Sequence, residues 1–151
     1  MGQIRIVTEN KKEYLPLLLE ADPCEAMIDR YLEQGELAVL EEENKTIAAA
    51  VVVRLDDRRC ELKNIAVVPE MQRKGCGTEF LRRLMERWSC RAEQMMVGTT
   101  VPTAPFYRSL GFRDSHVVKN FFTENYPEPI FEGDVPCVDL YYLKKNLRAD
   151  D

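Results

Sequence analysis

Two glycines and two cationic residues follow an apolar run and precede an amphipathic segment. The loop reads Gln72-Arg73-Lys74-Gly75-Cys76-Gly77, and an amphipathic helix is predicted from about Thr78. The N-terminus of a helix has backbone N–H groups without intrahelical partners, and its dipole favours negative charge. Glycine lacks a Cβ and lets a ligand approach the backbone closely. Residues 72–78 are therefore predicted to bind a pyrophosphate.

Two other phosphate-binding patterns do not match the sequence. A Walker loop requires G-x-x-x-x-G-K-[S/T], which does not occur, and a dinucleotide fingerprint requires a third glycine where Phe80 stands. An ordinary strand-to-helix connection that contains two glycines stays open as an alternative. The order of strand, loop and helix around the glycines favours the phosphate site.

Length and composition indicate one globular domain, residues 1–151. The chain has 45% apolar and 31% charged residues, as soluble globular proteins do. Its apolar runs are shorter than the roughly 20 residues that span a bilayer, and its N-terminus lacks the features of a signal peptide. We therefore expect no association with a membrane.

The net charge and the pattern of cysteines limit the kinds of partner and the cellular compartment to be expected. A net charge of −5 does not favour nucleic acid, which usually meets a basic face, and it favours cationic partners such as amines. The five cysteines are scattered and form no C-x-x-C pair. We therefore expect a cytoplasmic protein with neither a disulfide framework nor a metal site.

Apolar periodicity predicts an α/β (α+β) fold with a mixed sheet. Strands are predicted at residues 3–8, 37–41, 46–55, 60–68, 94–99 and 138–143. The run Ile47–Val53 has no polar alternation, which suits a central strand covered on both faces. Residues 11–34 predict two helices divided at Asp22-Pro23, with Gly35 ending the second. Residues 121–136 are predicted as a loop and residues 144–151 as a frayed tail.

Two strings resemble the signatures of the GNAT acetyltransferase superfamily. The loop at 72–77 is similar to the acetyl-CoA signature Q/R-x-x-G-x-G/A. The string Phe106-Tyr107-Arg108-Ser109-Leu110-Gly111-Phe112 resembles the second signature, in which a tyrosine lies four residues before a Gly-Phe pair. The interval between the strings also matches. The resemblance covers at least residues 37–118, and residues 120–131 resemble a bacterial subgroup of the same superfamily.

The resemblance implies a GNAT-like single domain, a twisted mixed sheet of about seven strands with flanking helices. Two neighbouring parallel strands, 60–68 and 94–99, would splay apart around acetyl-CoA, the co-substrate. The residues implied to bind it are Ile65, Val67, Gln72, Arg73, Lys74, Gly75, Cys76, Gly77 and Thr78. Within this set the Val67 N–H would polarise the acetyl carbonyl, and Ile65 would pair with the pantetheine arm. Arg73 and Lys74 have an alternative explanation as solvated loop charges.

Two side chains are candidates for proton transfer. The resemblance implies that Tyr107 protonates the leaving thiolate, although packing beside its two phenylalanine neighbours would also explain it. Glu61 is the candidate base, because several GNAT enzymes carry a glutamate in the strand before the glycine loop. Its alternative is a partly exposed residue that pairs with Arg59 or Lys63. Strand alternation predicts that Glu61, Lys63, Ile65 and Val67 share one face.

The predicted function is transfer of the acetyl group of acetyl-CoA to a primary amine by direct attack in a ternary complex. A non-catalytic acyl-CoA-binding sensor or interaction module is the alternative. The acceptor would be a small-molecule or peptide amine, bound between residues 22–35 and 120–137, where acidic side chains could attract a cation. These are Asp22, Glu25, Asp29, Glu124, Glu128 and Glu132. Dimerisation is common in the superfamily, so a homodimer is a further expectation.

Overall fold

A seven-stranded sheet organises the computed structural model, which describes residues 2–148. Its strands, with two from a separate hairpin, are β1 (Gln3–Val7), β2 (Glu36–Glu42), β3 (Lys45–Arg54), β4 (Arg59–Val67), β5 (Gln94–Thr99), β6 (Arg113–Val118), β7 (Phe131–Glu132), β8 (Val135–Pro136) and β9 (Leu140–Asn146). The sheet order is β1-β2-β3-β4-β5-β9-β6, and β7 pairs with β8. Strands β4 and β5 run parallel, whereas the other neighbours are antiparallel. The predicted mixed sheet is therefore confirmed.

Five short to medium helices flank the sheet. They are α1 (Leu15–Leu18), α2 (Glu25–Ile28), α3 (Cys76–Trp88), α4 (Ala104–Ser109) and α5 (Phe121–Asn125), with 3-10 turns at Lys11–Tyr14 and Pro69–Met71. Within residues 2–148, none of them is long and apolar enough to cross a membrane.

Two hydrophobic clusters cover the two faces of the sheet. The first contains the apolar side of α3, the α4 residue Tyr107, and Phe112. The second contains Leu18 of α1, Ile28 of α2 and the following Tyr31. Strand β3 contributes to both, with Ala48, Ala50 and Val52 in the first cluster and Ala49 and Val51 in the second. The central strand predicted from its unbroken apolar run is confirmed.

The parallel strands β4 and β5 diverge after a short paired segment. Their pairing runs from Arg59 and Gln94 to Leu62 and Val97, although β4 continues to Val67. The splayed pair implied by the resemblance is therefore present. A gap opens between the carboxyl-terminal halves of the two strands, where ligands of open parallel sheets commonly bind.

A β-bulge bends β4 where this gap begins. Val51 of β3 pairs with Asn64, whereas the next residue, Val52, pairs with Leu62, so Lys63 is extra in the ladder. A bulge bends its strand and increases the local twist. The bulge therefore accounts for the separation of β4 from β5 beyond Leu62.

Two element boundaries differ from the predictions. Helix α3 begins at Cys76 instead of Thr78, because Gly75 adopts φ 86° and serves as its N-cap. Strand β9 continues to Asn146, so the frayed tail predicted from residue 144 is wrong for 144–146. Lys144 pairs there with Met96 on one side and Arg113 on the other. Residues 149–151 of that predicted tail lie outside the described residues.

Two segments differ from their predicted structure: residues 11–34 are less regular than expected, and residues 121–136 are more ordered. The break at Asp22-Pro23 is confirmed, but α2 ends at Ile28 instead of reaching Gly35. The ammonium of Lys11 donates hydrogen bonds to three carbonyls of the following turns, at residues 32, 33 and 35, in place of helical partners. Residues 121–136, predicted as a loop, contain α5 and the β7–β8 hairpin.

Candidate functional site

The predicted phosphate-binding loop has the backbone geometry of an anion site. Gly75 has φ 86°, and Arg73, two residues earlier, also has a positive φ of 63°. Left-handed residues within a turn direct successive N–H groups to one side, which creates a concave site for anions. The Gln72 side chain donates a 2.9 Å hydrogen bond to the Val67 carbonyl and so ties the loop to the end of β4.

Backbone donors and positive charge meet at this loop. Within residues 2–148, the N–H groups of residues 73–78 donate no hydrogen bond to a backbone carbonyl. The dipole of the 13-residue helix α3 adds positive potential at the same place. The side chains of Arg73 and Lys74 are exposed beside these donors. The arrangement can therefore hold a pyrophosphate.

Gly77 leaves room between the loop and the gap. A Cβ on Gly77 would lie 3.6 Å from Val67 Cγ2 and 3.9 Å from Phe106 Cζ, which are ordinary contact distances. The protein's own packing therefore does not require glycine at this position. A ligand that passes over the first turn of α3 would occupy the space that a Cβ takes up.

The open edge of β4 links the loop to the interior. Ile65 and Val67 lie in the segment beyond Leu62, where β4 has no partner strand on the β5 side within residues 2–148. Their side chains pack against the first hydrophobic cluster. A ligand with amide groups could hydrogen-bond to this backbone edge as a further strand would.

Tyr107 lies in the wall of the gap. Only 7% of its surface is exposed, and its ring makes edge contacts with Phe106 at 5.0 Å and Phe112 at 5.6 Å. The alternative role of Tyr107, packing between two phenylalanines, is therefore present. Its hydroxyl nevertheless has no hydrogen-bond partner within residues 2–148. Burial, followed by the charge of Glu132, raises the pKa of the phenol. The hydroxyl consequently stays protonated at neutral pH and can donate.

Glu61 is buried, with 7% of its surface exposed. Its Oε2 accepts a hydrogen bond of 2.9 Å from the Tyr142 hydroxyl and one of 3.2 Å from Lys63 Nζ. The alternative pairing with Lys63 is therefore present, but the partial exposure expected with it is wrong. Within residues 2–148, Oε1 has no hydrogen-bond partner.

The prediction that Glu61, Lys63, Ile65 and Val67 share one face is wrong. Lys63 is the extra residue of the β4 bulge, so the alternation of side chains reverses after it. Ile65 and Val67 consequently pack on the same cluster as Leu62. Neighbouring strand residues point to opposite faces, and Glu61 therefore points away from them.

A cavity of about 800 Å³ lies beside the gap. Both candidate proton-transfer residues, Glu61 and Tyr107, line it, and so does Ile65. The other residues predicted to bind the cofactor, Val67 and residues 72–78, lie outside it. The candidate site thus has two ends, the exposed loop at residues 72–78 and a cavity, and the open edge of β4 runs between them.

The side chains that organise one wall of the cavity were missed from the sequence. The Tyr31 and Tyr126 hydroxyls donate hydrogen bonds to the two oxygens of Asp22, at 3.0 and 2.9 Å. Asn64 Nδ2 in turn donates to the Tyr31 oxygen at 3.1 Å. Asn64, a polar residue directly before the apolar run Ile65–Val68, was the feature of the sequence that could have indicated this network. Tyr126 is 104 residues from Asp22, so its role is not readable from local pattern.

A second carboxylate is fixed near Tyr107. Glu132, on the β7–β8 hairpin, accepts hydrogen bonds from the hydroxyls of Thr100 and Thr103, which follow β5. All three residues line the cavity. The sequence indicated Asp22 and Glu132 only as members of a larger acidic set. Within residues 2–148, no three His, Cys, Asp or Glu side chains are grouped as metal ligands.

Similarity to known proteins defines the class of this protein. Residues 33–114 match the family described as the acetyltransferase (GNAT) domain. Over 96% of both chains, the protein is 30% identical to the uncharacterised N-acetyltransferase YvbK of Bacillus subtilis. The chain therefore belongs to the GNAT acetyltransferase family.

Two solved structures are similar along almost the whole chain. A GNAT acetyltransferase from Elizabethkingia anophelis with acetyl-CoA bound is 33% identical, with a TM-score of 0.91 over 96% of this chain and 97% of that chain. A Bacillus subtilis acetyltransferase in complex with CoA is 29% identical, with a TM-score of 0.88 over 98% and 100% of the two chains. The GNAT fold implied by the two signatures is confirmed.

Proposed function

We propose that this protein is an acetyl-CoA-dependent N-acetyltransferase that acts on a primary amine by direct attack in a ternary complex. The observation that carries the proposal is the gap between β4 and β5, because it joins the phosphate-binding loop to the cavity that contains Tyr107. A linear ligand with a pyrophosphate at one end and a thioester at the other fits this arrangement. The acetyl-CoA and CoA bound to the two solved relatives support the choice.

The cofactor would lie along the loop and the open edge of β4. The N–H groups of residues 73–78 would hold the pyrophosphate, with Arg73 and Lys74 balancing its charge and Gln72 fixing the loop. Ile65 would pair with the pantetheine arm through its backbone. The backbone N–H of Val67 would donate to the acetyl carbonyl and stabilise the oxyanion that forms on attack.

Acetyl transfer forms one carbon–nitrogen bond and requires three proton transfers. An ammonium acceptor first loses a proton, and its nitrogen then bonds to the carbonyl carbon. The carbon–sulfur bond breaks as the intermediate collapses, and the Tyr107 hydroxyl protonates the leaving thiolate. The nitrogen's second proton returns to Tyr107. The sum is one amide, one CoA thiol and one proton released to solvent.

The first deprotonation is the step for which Glu61 is proposed. An alkyl ammonium with a pKa of about 10.4 is about 0.04% neutral at pH 7, so its deprotonation costs about 4.6 kcal/mol. Glu61 lines the cavity, and its Oε1 has no hydrogen-bond partner within residues 2–148. We propose that Glu61 accepts the proton directly or through a water molecule.

The role of Tyr107 is tested by Tyr107→Phe, which keeps the ring contacts and removes the acid. General acid catalysis is worth about 100-fold or more, so we expect kcat to fall by about 100-fold. Affinity for acetyl-CoA, measured by isothermal titration, should stay unchanged. Thiol release from acetyl-CoA in the presence of primary amines measures the rate.

Tyr141→Phe is the matched control, because Tyr141 lies on β9 outside the cavity. Turnover of the control should equal that of the unmodified protein. An unchanged kcat in Tyr107→Phe would show that Tyr107 is not the acid. Tight acetyl-CoA binding with no amide formed from any amine would instead favour a non-catalytic acyl-CoA sensor.

A further inference from the structure

Two carboxylates of the cavity are held by hydroxyl groups instead of cations. Asp22 accepts hydrogen bonds from the hydroxyls of Tyr31 and Tyr126, and Glu132 accepts them from those of Thr100 and Thr103. Neither carboxylate forms an ion pair within residues 2–148. By contrast, Glu61, which lines the same cavity, is paired with Lys63.

Both carboxylates have acceptor capacity left for a ligand. An ionised carboxylate has about four acceptor sites. Asp22 uses three of them, since the Cys24 N–H also donates to it at 3.4 Å. Glu132 uses two. Each residue is half-buried, where an unbalanced negative charge is costly and a cation from solution is favoured.

The two carboxylates are held by different elements of the cavity wall. Glu132 is hydrogen-bonded to Thr103, which directly precedes the helix α4 that carries Tyr107. Asp22 shares no hydrogen-bond partner with Glu132 and belongs to the network around Tyr31 and Asn64. One carboxylate is therefore fixed next to the helix that carries Tyr107, and the other belongs to a separate hydrogen-bond network.

Aromatic rings contribute much of the remaining wall. Phe121, Phe122 and Tyr126 form a cluster with centroids 5.3 to 6.3 Å apart, and all three line the cavity. Such rings suit methylene groups and also attract ammonium ions. Lys63 Nζ already lies 5.8 Å from the centre of the Tyr31 ring.

We propose that the acceptor is an aliphatic diamine, with the reacting ammonium held by Glu132 beside Tyr107 and deprotonated by Glu61 through a water molecule, and with the second ammonium at Asp22. This inference rests on the proposed acetyltransferase function and specifies its substrate class. The methylene chain would lie against the aromatic cluster. The protein's net charge of −5 favours the approach of such a dication.

Cationic side chains in the cavity wall could instead bind an acceptor that carries a carboxylate. Lys63 is neutralised by Glu61, and the Arg54 guanidinium donates to the carbonyls of Asp56 and Arg91. Arg30, which is exposed, donates to the side-chain oxygen of Asn125 instead of to a carboxylate. An acceptor with a carboxylate, such as an amino acid, would use Arg30 and is the alternative that the test must separate.

Cadaverine, pentylamine and lysine test the proposal, because they share a five-carbon chain. Cadaverine adds a second ammonium to pentylamine, and lysine adds a carboxylate to cadaverine. A charged hydrogen bond to Asp22 should raise kcat/KM for cadaverine at least about 10-fold over pentylamine. Putrescine and hexamethylenediamine extend the comparison to neighbouring chain lengths. Equal kcat/KM for every diamine and its monoamine, or a preference for lysine, would overturn the proposal.

Asp22→Asn should remove the advantage of cadaverine, so that its kcat/KM falls to about that of pentylamine measured with the same variant. Tyr126→Phe is the structural comparison, since it removes a hydrogen bond to Asp22 but keeps the carboxylate charge, and the preference should survive. Asp29→Asn is the matched control, because Asp29 pairs with Lys12 outside the cavity. Loss of the preference in Tyr126→Phe or Asp29→Asn, or its persistence in Asp22→Asn, would contradict a role for the Asp22 charge.

A binding measurement separates failure of this inference from failure of the proposed function. Isothermal titration of cadaverine and pentylamine into the protein with CoA present reports recognition without turnover. Asp22-dependent binding of cadaverine without acetylation would overturn the proposed function and support the diamine site. Acetylation of amines with no Asp22-dependent preference would overturn the diamine site alone.

Discussion

At the residue scale, the predicted phosphate-binding loop depends on the conformation of Gly75. Its φ of 86° is a left-handed value, yet a Cβ placed there would meet no atom within 4 Å. The requirement for glycine is therefore conformational and not steric. Gly133, in the β7–β8 hairpin, is in the same situation, with φ 60° and open space around the missing Cβ. The two positions differ in function: the N–H groups around Gly75 are predicted to contact the pyrophosphate, whereas Gly133 lies outside that loop.

Gly75→Ala and Gly133→Ala should each lower the free energy of unfolding by about 1 kcal/mol, because alanine is strained at positive φ. Only Gly75→Ala should weaken acetyl-CoA binding, by about 10-fold, since it shifts the N–H groups of residues 73–78. Urea denaturation and isothermal titration measure the two effects. Equal acetyl-CoA affinity in both variants would show that the loop does not bind the pyrophosphate.

At the element scale, β2 is joined to α3 and to the turn after it by a charged cluster of Glu36, Arg87 and Arg91. Glu36 of β2 accepts hydrogen bonds of 3.0 Å from two nitrogens of Arg87 and is also bonded by Arg91. Burial raises the pKa of the Glu36 carboxyl, but these hydrogen bonds outweigh it and hold the pKa below its usual value. The Arg91 guanidinium also lies 3.9 Å from the centre of the Trp88 ring.

A depressed carboxyl pKa stabilises the fold above the usual value of about 4.3, and this contribution is lost as pH falls through the folded-state value. Glu36→Gln should therefore cost about 1 kcal/mol at neutral pH and less near pH 3, where the carboxylate becomes protonated. Urea denaturation at both pH values checks this. Glu41→Gln in the same strand is the control with a smaller effect, because its Arg5 partner is half-exposed. A Glu36→Gln effect that does not change with pH would exclude the ion cluster as its source.

The elements that the sequence predicted well are those whose signal is local. The apolar run of β3 and the amphipathic stripe of α3 required only neighbouring residues, and both elements were placed within two or three residues. The bulge at Lys63 could not be predicted, because it is defined by pairing with β3 and not by composition. Its consequence, the reversed facing of Glu61, was missed for the same reason.

At the scale of the whole molecule, the site joins segments that are distant in the chain. The phosphate-binding loop and Tyr107 were predicted because short signatures carry them. The network of Asp22, Tyr31 and Tyr126 joins a segment that precedes β2 in the chain to one that follows β6. Asp22 and Tyr126 are 104 residues apart. The loop and Tyr107 were therefore easier to predict from local sequence than the cavity wall around Asp22.

Every role proposed for the residues of the site depends on acetyl-CoA binding in the gap between β4 and β5. Isothermal titration of the purified protein with acetyl-CoA tests this directly, with NADH and ATP as controls that also carry a nucleotide and phosphates. We predict one-to-one, acetyl-CoA-selective binding with a dissociation constant in the micromolar range, about −8 kcal/mol. A folded protein that binds no acetyl-CoA, or that binds all three nucleotides equally, would contradict the assignment of the loop and the gap.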